Sequence, residues 1–328
     1  MPAGETDAPT PCDQLVRMRP EQSSVIPFEV LRGFASGDDA TREWVSHAPD
    51  IALELLQRWE LRPEGTVRSG EAGVLVPVLR ADGTPAALKL QVPRAETTAA
   101  IIGLTRWQGA GIVRLLDSDA DRGGMLLERL QGDRALDTVE DDDAAVRMVG
   151  GLLARLHAVS APDGLPQLAT VTAEMIDDAP AAARVLDDDD RSRLDRWVDT
   201  VSAVAGDTDD RLLHWDLHYG NVLAADREPW LAIDPEPLVG DPGFDLWPAL
   251  DSGWSDDPAR TDAPLLVRRR FDILTEMLDL DRHRAAVWTR ARLLQNTLWD
   301  IEDGQPAISV AAKLIDEALP AAHSADMR

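Results

Sequence analysis

Residues 212–223 read LLHWDLHYGNVL, and no other stretch restricts the fold of the chain as tightly. Apolar ends bracket two histidines, an aspartate, an asparagine, a tryptophan and a tyrosine. Ends of this length suit short buried strands, so the polar centre turns between them. Asp216 and Asn221 stand five apart, and His214 precedes the aspartate by two. A carboxylate so placed can take the proton of an attacking hydroxyl, and an amide oxygen can ligate a hard divalent cation. Two rival readings use the same residues. One makes His214 and His218 ligands of a hydrolytic metal, although such a pair wants a helix presenting i and i+4, and this context is a loop. The other is a polar turn stabilised by its Asp and Asn side chains alone.

The chain on either side of this loop changes period in a definite order. Residues 1–24 are rich in Pro, Asp and Thr and read as a flexible N-terminus. The run ATREWVSHAPDIALELLQRWEL has helical spacing, and Pro49 inside it predicts two helices or a kink. Residues 66–92 then read as three antiparallel strands, with a DG hairpin signal at Asp82–Gly83. A helix from Ala95 follows, then two strands around DADRGG. Five strands and one helix make an N-terminal lobe spanning residues 25–130. From about Asp137 the pattern is helical, and residues 131–320 form the second lobe, ahead of a tail at 321–328. The second lobe carries a β interruption at 211–235 and a DDDD run at 187–190 that reads as a solvated helix start. The expected class is α+β and bilobal, with ligands in the cleft.

Bulk properties narrow the partners. The formal charge of −26 repels nucleic acid and anionic membranes and attracts a cationic small molecule. No run approaches the apolar length a membrane helix needs. One cysteine, Cys12, cannot close an internal disulfide, which suits a reducing cytoplasm. Oligomeric state is open, and a monomer is compatible.

Three further features complete a chemistry. AALKL puts Lys89 inside a strand, where lysine is disfavoured without a task. RSGEAG places Ser69, Gly70 and Gly73 in a turn whose backbone N–H groups can approach a phosphate. WLAIDPEP ends a strand at Asp234, thirteen residues past Asn221, so its carboxylate returns beside that amide. The spacing H-x-D-x-x-x-x-N is that of a kinase catalytic loop. Phosphoryl transfer asks for positioning and charge neutralisation. Lys89 and Mg²⁺ held by Asn221 and Asp234 supply positive charge to ATP, and Asp216 orients the nucleophile. MLLERL is the connector, and its backbone at Glu128 and Leu130 can pair with adenine.

On HWDLHYGNVL…WLAIDPEPLVGDPGFDL, ALKLQ, VRLLDSD, MLLERL, LLARLHAV and LQNTLWDIEDG, the chain resembles the aminoglycoside phosphotransferase family, in its streptomycin 6-phosphotransferase and hydroxyurea phosphotransferase branch. The likeness runs from about residue 28 to 319. It implies a protein-kinase-like fold, Asp216 as catalytic base, Asn221 and Asp234 on Mg²⁺, and Lys89 on the nucleotide phosphates. It implies that Asp241 and Asp245 brace the loop. Two positions depart from the branch. The usual helix Glu that pairs with the lysine is replaced by Ala100, leaving Glu96 as the only acid of that helix, and Glu236 stands where the branch carries Lys. The acceptor wall is expected at Asp251, Trp254, Asn296, Trp299 and Asp300, since acids and aromatics suit a cationic aminoglycoside such as streptomycin. A kinase of another small metabolite and a nucleotide-binding pseudokinase without turnover are the alternatives.

Overall fold

The computed structural model describes residues 25–34, 37–70, 73–254 and 262–321. The N-terminal stretch 1–24 and most of the C-terminal tail therefore lie outside the described residues. Two compact units divide the chain. The first runs up to Thr97 and adds Leu116–Arg129; the second holds Thr98–Leu115 and everything from Leu130 on.

In the first unit, α1 (Phe28–Leu31) and α2 (Asp39–Arg58) precede β1 (Arg62–Pro63), β2 (Arg68–Ser69), β3 (Gly73–Leu79), β4 (Pro85–Gln91), β5 (Leu115–Asp119, of which Leu115 belongs to the second unit) and β6 (Gly124–Glu128). The sheet order is β1-β3-β4-β6-β5, with β2 also on β3. Six strands thus stand where five are predicted, because β1 is a two-residue pairing of Arg62 and Pro63 with Leu79 and Val78. Val74, Val76 and Val78 face Leu90, Leu88 and Ala86 in register across β3 and β4. Together with Leu55 and Leu56 of α2 these residues form the apolar core. Gly124 admits this packing: a Cβ there would meet the Leu55 side chain at 2.4 Å. Helix α2 runs through Pro49 as one element, not two. Trp44, Val45 and Ala48 before the proline and Ala52, Leu55 and Leu56 after it are all buried, so the core holds the helix across one missing hydrogen bond.

In the second unit, α3 (Ala95–Trp107, of which Ala95–Thr97 belong to the first unit) comes first and β7 (Gln131–Ala135) follows. Next are α4 (Asp142–His157), α5 (Leu168–Ala182) and α6 (Asp188–Ser202). β8 (Arg211–Leu213), β9 (Val222–Ala224), β10 (Trp230–Ala232) and β11 (Leu238–Gly240) carry the loop that opened the sequence analysis. α7 (Trp247–Asp251), α8 (Ala263–Met277), α9 (Arg282–Glu302) and α10 (Val310–Ala318) close the chain. Two small sheets form, β10-β9-β7 and β11-β8. The β interruption therefore extends to Gly240, past the expected 235. The acidic start of α6 is solvated only in part. Asp187 caps Asp190 N, but Asp190 itself is buried, accepting from Ile308 N at 3.0 Å and pairing with Lys313 Nζ at 2.7 Å.

Candidate active site

The chain leaves β8 at His214, whose ring is fully buried and stacks on Trp107. Its Nε2–H donates to Ile233 O at 3.0 Å. That bond leaves His214 no ligand role from Nε2. Among the described residues no group of three or more His, Cys, Asp or Glu is placed to hold a metal. The next residue, Trp215, adopts φ 68°, a left-handed conformation that costs a non-glycine residue about 1–3 kcal/mol and persists only when surroundings enforce it. Asp245 does the enforcing. One of its oxygens accepts from His214 N at 2.8 Å and from His157 Nε2 at 2.8 Å, and the other accepts from Trp215 N. Burial pushes the Asp245 carboxyl up, but the His157 donation and the backbone N–H groups outweigh it and hold the group below 3.8. Asp241 caps Gly243 N at 2.9 Å and binds Arg284 Nε at 2.6 Å, fixing the 3₁₀ turn Pro242–Asp245 that carries Asp245.

Past this brace Asp216 is half-buried. Asn221 Nδ2 reaches back to Asp216 O at 2.9 Å and to Asp216 Oδ2 at 3.1 Å. His218 caps the intervening turn through Nδ1, which accepts from Gly220 N. β9 then pairs antiparallel with β10, Ala232 opposite Val222, and Ile233 N extends the ladder to Asn221 O at 2.9 Å. Asp234 follows at φ 53°, directly beyond that bond. Asn221 and Asp234 thus stand at one end of the β9–β10 pair, and the Asn221 amide ties Asp216 to that end. The Asn221 nitrogen is turned onto Asp216, which leaves its side-chain oxygen as the ligand atom. One carboxylate and one amide oxygen suit Mg²⁺ completed by phosphate and water.

The other predicted residues fall in several places. Lys89 lies in β4 between Leu75 and Met125 of its neighbours and is only 9% exposed. Glu96 is exposed in the first turn of α3, and Ala100 is buried. Ser69 ends β2, and Gly70 N closes its turn onto Gly73 O at 2.8 Å. Gly73 has a packing reason to be glycine: a Cβ there would sit 2.2 Å from Leu90 O. Glu128 ends β6 and Leu130 is half-buried after it.

Of the expected acceptor wall, Trp254 is a correction. Its ring is buried and its Nε1–H is spent on Leu250 O at 2.6 Å, so it is core. Asp251 ends α7, and Asn296 is half-buried in α9. Trp299 is 43% exposed and lines a groove of about 410 Å³ with Glu174, Asp178, Gln295 and Glu302. Asp300, one residue on, has its carboxyl raised by burial and by Asp303. Glu174 and Asp178 of α5 escaped the sequence reading, since acids one turn apart on a helix otherwise read as a solvated face.

The most consequential residue missed is Arg292. It is 4% exposed on α9, donates from Nη1 to Gln295 Oε1 at 2.6 Å, and lies over Trp299, Trp247, Trp215 and Phe244 at 5.2–5.8 Å. An arginine on the apolar face of an amphipathic helix is a signal that could have found it.

The aminoglycoside/hydroxyurea antibiotic resistance kinase model matches residues 58–304. Streptomycin 6-kinase of Streptomyces griseus is 60% identical over 285 residues, covering 87% of this chain and 93% of the relative. Hydroxyurea phosphotransferase of Kitasatospora aureofaciens is 46% identical over 298 residues, covering 90% and 85%. Among solved structures, spectinomycin phosphotransferase in complex with ADP and spectinomycin superposes with a TM-score of 0.53 at 14% identity, covering 85% of this chain and 96% of that one. The fold is that of the protein-kinase-like phosphotransferases.

Proposed function

The chain belongs to the aminoglycoside/hydroxyurea antibiotic resistance kinase family, and from that premise we propose an ATP- and Mg²⁺-dependent O-phosphotransferase that phosphorylates streptomycin. The observation that carries the reading is the bonded pair Asp216–Asn221 with Asp234 next to it. The 60% identity to a streptomycin 6-kinase supports the acceptor, as does a groove holding Trp299, Glu174, Asp178 and Glu302, which offers carboxylates and an indole face to a polycation.

Asp216 accepts the proton of the acceptor hydroxyl. The hydroxyl oxygen forms the new bond to the γ-phosphorus, the bridging P–O bond breaks, and ADP leaves with that electron pair. Asn221 holds the Asp216 carboxylate in place through Nδ2, and Asp245 fixes the turn beneath it. Asn221 and Asp234 hold Mg²⁺, which when bound neutralises phosphate charge. Lys89 faces the nucleotide phosphates, with Glu96 as its partner on α3. Ser69, Gly70 and Gly73 lend backbone groups, and Glu128 and Leu130 lend theirs to adenine. Residues 25–130 act as the nucleotide lobe and 131–320 as the catalytic lobe. The working compartment is the cytoplasm, and no described helix is long and apolar enough to cross a membrane.

Asp216→Asn tests the reading. Transfer to streptomycin, followed by mass spectrometry of the product, should fall at least about 10³-fold while nucleotide still binds. Turnover that survives in this variant would remove the assignment of the base. A product seen only with a simple sugar across an aminocyclitol and sugar panel would replace the acceptor, and nucleotide binding with no product across the whole panel would make the chain a pseudokinase.

A further inference from the structure

Arg292 is buried, yet among the described residues no carboxylate forms an ion pair with it. Its Nε meets no partner at all, and Nη1 is held only by the neutral Gln295. A guanidinium in that position is costly unless something distant offsets it. Four aromatic faces repay part. The rest is long-range: burial pulls its pKa down to about 10, against the attraction of Asp216, Glu236 and Asp245. The residue therefore stays charged near neutrality. Its field falls on the proposed base, Asp216.

Gln295 joins this charge to two other places. The same Oε1 accepts from Arg292 Nη1 and, at 3.2 Å, from Trp215 Nε1, and Trp215 is the left-handed residue immediately before Asp216. Trp299 covers Arg292 on one side at 5.2 Å and lies against Trp215 at 6.3 Å. Both Gln295 and Trp299 also line the acidic groove. One cluster thus touches the groove, the strained turn and the buried cation together.

We propose that Arg292 is a positioning residue of the transfer step, whose charge, held by Gln295 and the aromatic platform behind Trp215, registers an acceptor in the groove against Asp216. The assignment rests on Asp216 being the base.

Gln295→Glu separates this role from plain packing. The new carboxylate pairs with Arg292 and still accepts from Trp215, so melting temperature should hold or rise. The charge is neutralised in place, so kcat with streptomycin should fall at least about tenfold, with the KM for nucleotide within about two-fold. A kcat within about two-fold of wild type overturns the inference. Arg292→Ala gives an independent arm, since it leaves a guanidinium-sized space lined by rings and Gln295. Added guanidinium should restore its turnover about tenfold, and urea, which has nearly the same shape without charge, should not. Equal rescue by urea, or a turnover already within about three-fold of wild type, overturns the inference. Asp216→Asn is assayed alongside. If that variant stays active, the reading of the base has failed; if it is dead while Gln295→Glu turns over normally, only the role of Arg292 has failed.

Discussion

His214 is the residue whose place in the loop motif says least about its physical task. Its ring is fully buried, Nε2–H is committed to Ile233 O, and Nδ1 has no partner. Burial lowers its pKa from 6.5, against the attraction of Asp245 and Asp216. The unfolded chain thus binds a proton near pH 6.5 that the folded chain refuses until lower pH. Stability from this group is fully present above about 6.5 and is lost as pH falls, at up to about 1.4 kcal/mol per unit. Denaturant unfolding measured from pH 7.5 to 5.5 should show this loss, and His214→Gln, which can still donate to Ile233 O, should flatten it. An unchanged slope in that variant would mean the acid sensitivity lies elsewhere. The contrast with Arg292 shows what single residues reveal. Asp216, Asn221 and Asp234 are legible because their spacing is local and rare. Arg292 and Gln295 are one turn apart on a helix, and their meaning depends on Trp215, distant in sequence, reaching the same amide oxygen.

Among the elements, α10 shows how partly buried ion pairs hold a short helix: Asp316 binds Arg193 of α6 at 2.7 Å and Arg290 of α9 at 2.8 Å, and Lys313 adds a further pair. Lys313 reaches Asp190 at the start of α6 at 2.7 Å, with the lysine a third exposed and the aspartate nearly buried. Asp190 also accepts from Ile308 N, so one carboxylate ties the α9–α10 connection and α10 itself to α6. Lys313→Met would leave that carboxylate buried on a single amide, and should cost about 2 kcal/mol in urea unfolding, below the range for a fully buried pair because the lysine is partly solvated. Asp190→Asn in the same background should recover part of this; no recovery would mean that the cost does not come from the unpaired carboxylate. The DDDD run conceals all of this, since acids at a helix start look alike until a distant lysine selects one. Similarly, β1 is two residues long, too short to carry any period, and its pairing with β3 depends on the chain that precedes it. Pro49 misleads for the opposite reason: its local penalty is real, and the apolar face on both sides outweighs it. The strands β3, β4 and β6 were legible as short apolar runs bounded by turn signals, and helix α4 because its apolar residues recur at helical spacing.

Across the whole molecule, the class of each unit follows from the order of periods, strands first and helices after, and only the boundary residues needed contacts to place them. Net charge acts at this scale too. A chain with 33 basic and 59 acidic residues carries −26, and its field at the surface is attractive to a polycation and repulsive to a nucleotide. Salt screens both, with a Debye length of about 10 Å at 0.1 M that shrinks to about 3 Å at 1 M. The two substrates therefore respond in opposite directions. Raising NaCl from about 25 mM to about 500 mM should lower kcat/KM for streptomycin severalfold, mainly through KM, while the KM for nucleotide holds or falls. Sodium sulfate at matched ionic strength should reproduce the trend, because screening depends on ionic strength and not on chloride. Parallel losses for both substrates would point to a general effect of salt on the enzyme, and would remove the acidic field from the account of acceptor capture. Charge reversal tests the same point locally. Glu174→Lys in the groove should weaken streptomycin and flatten its salt dependence, and leave the nucleotide curve as it was.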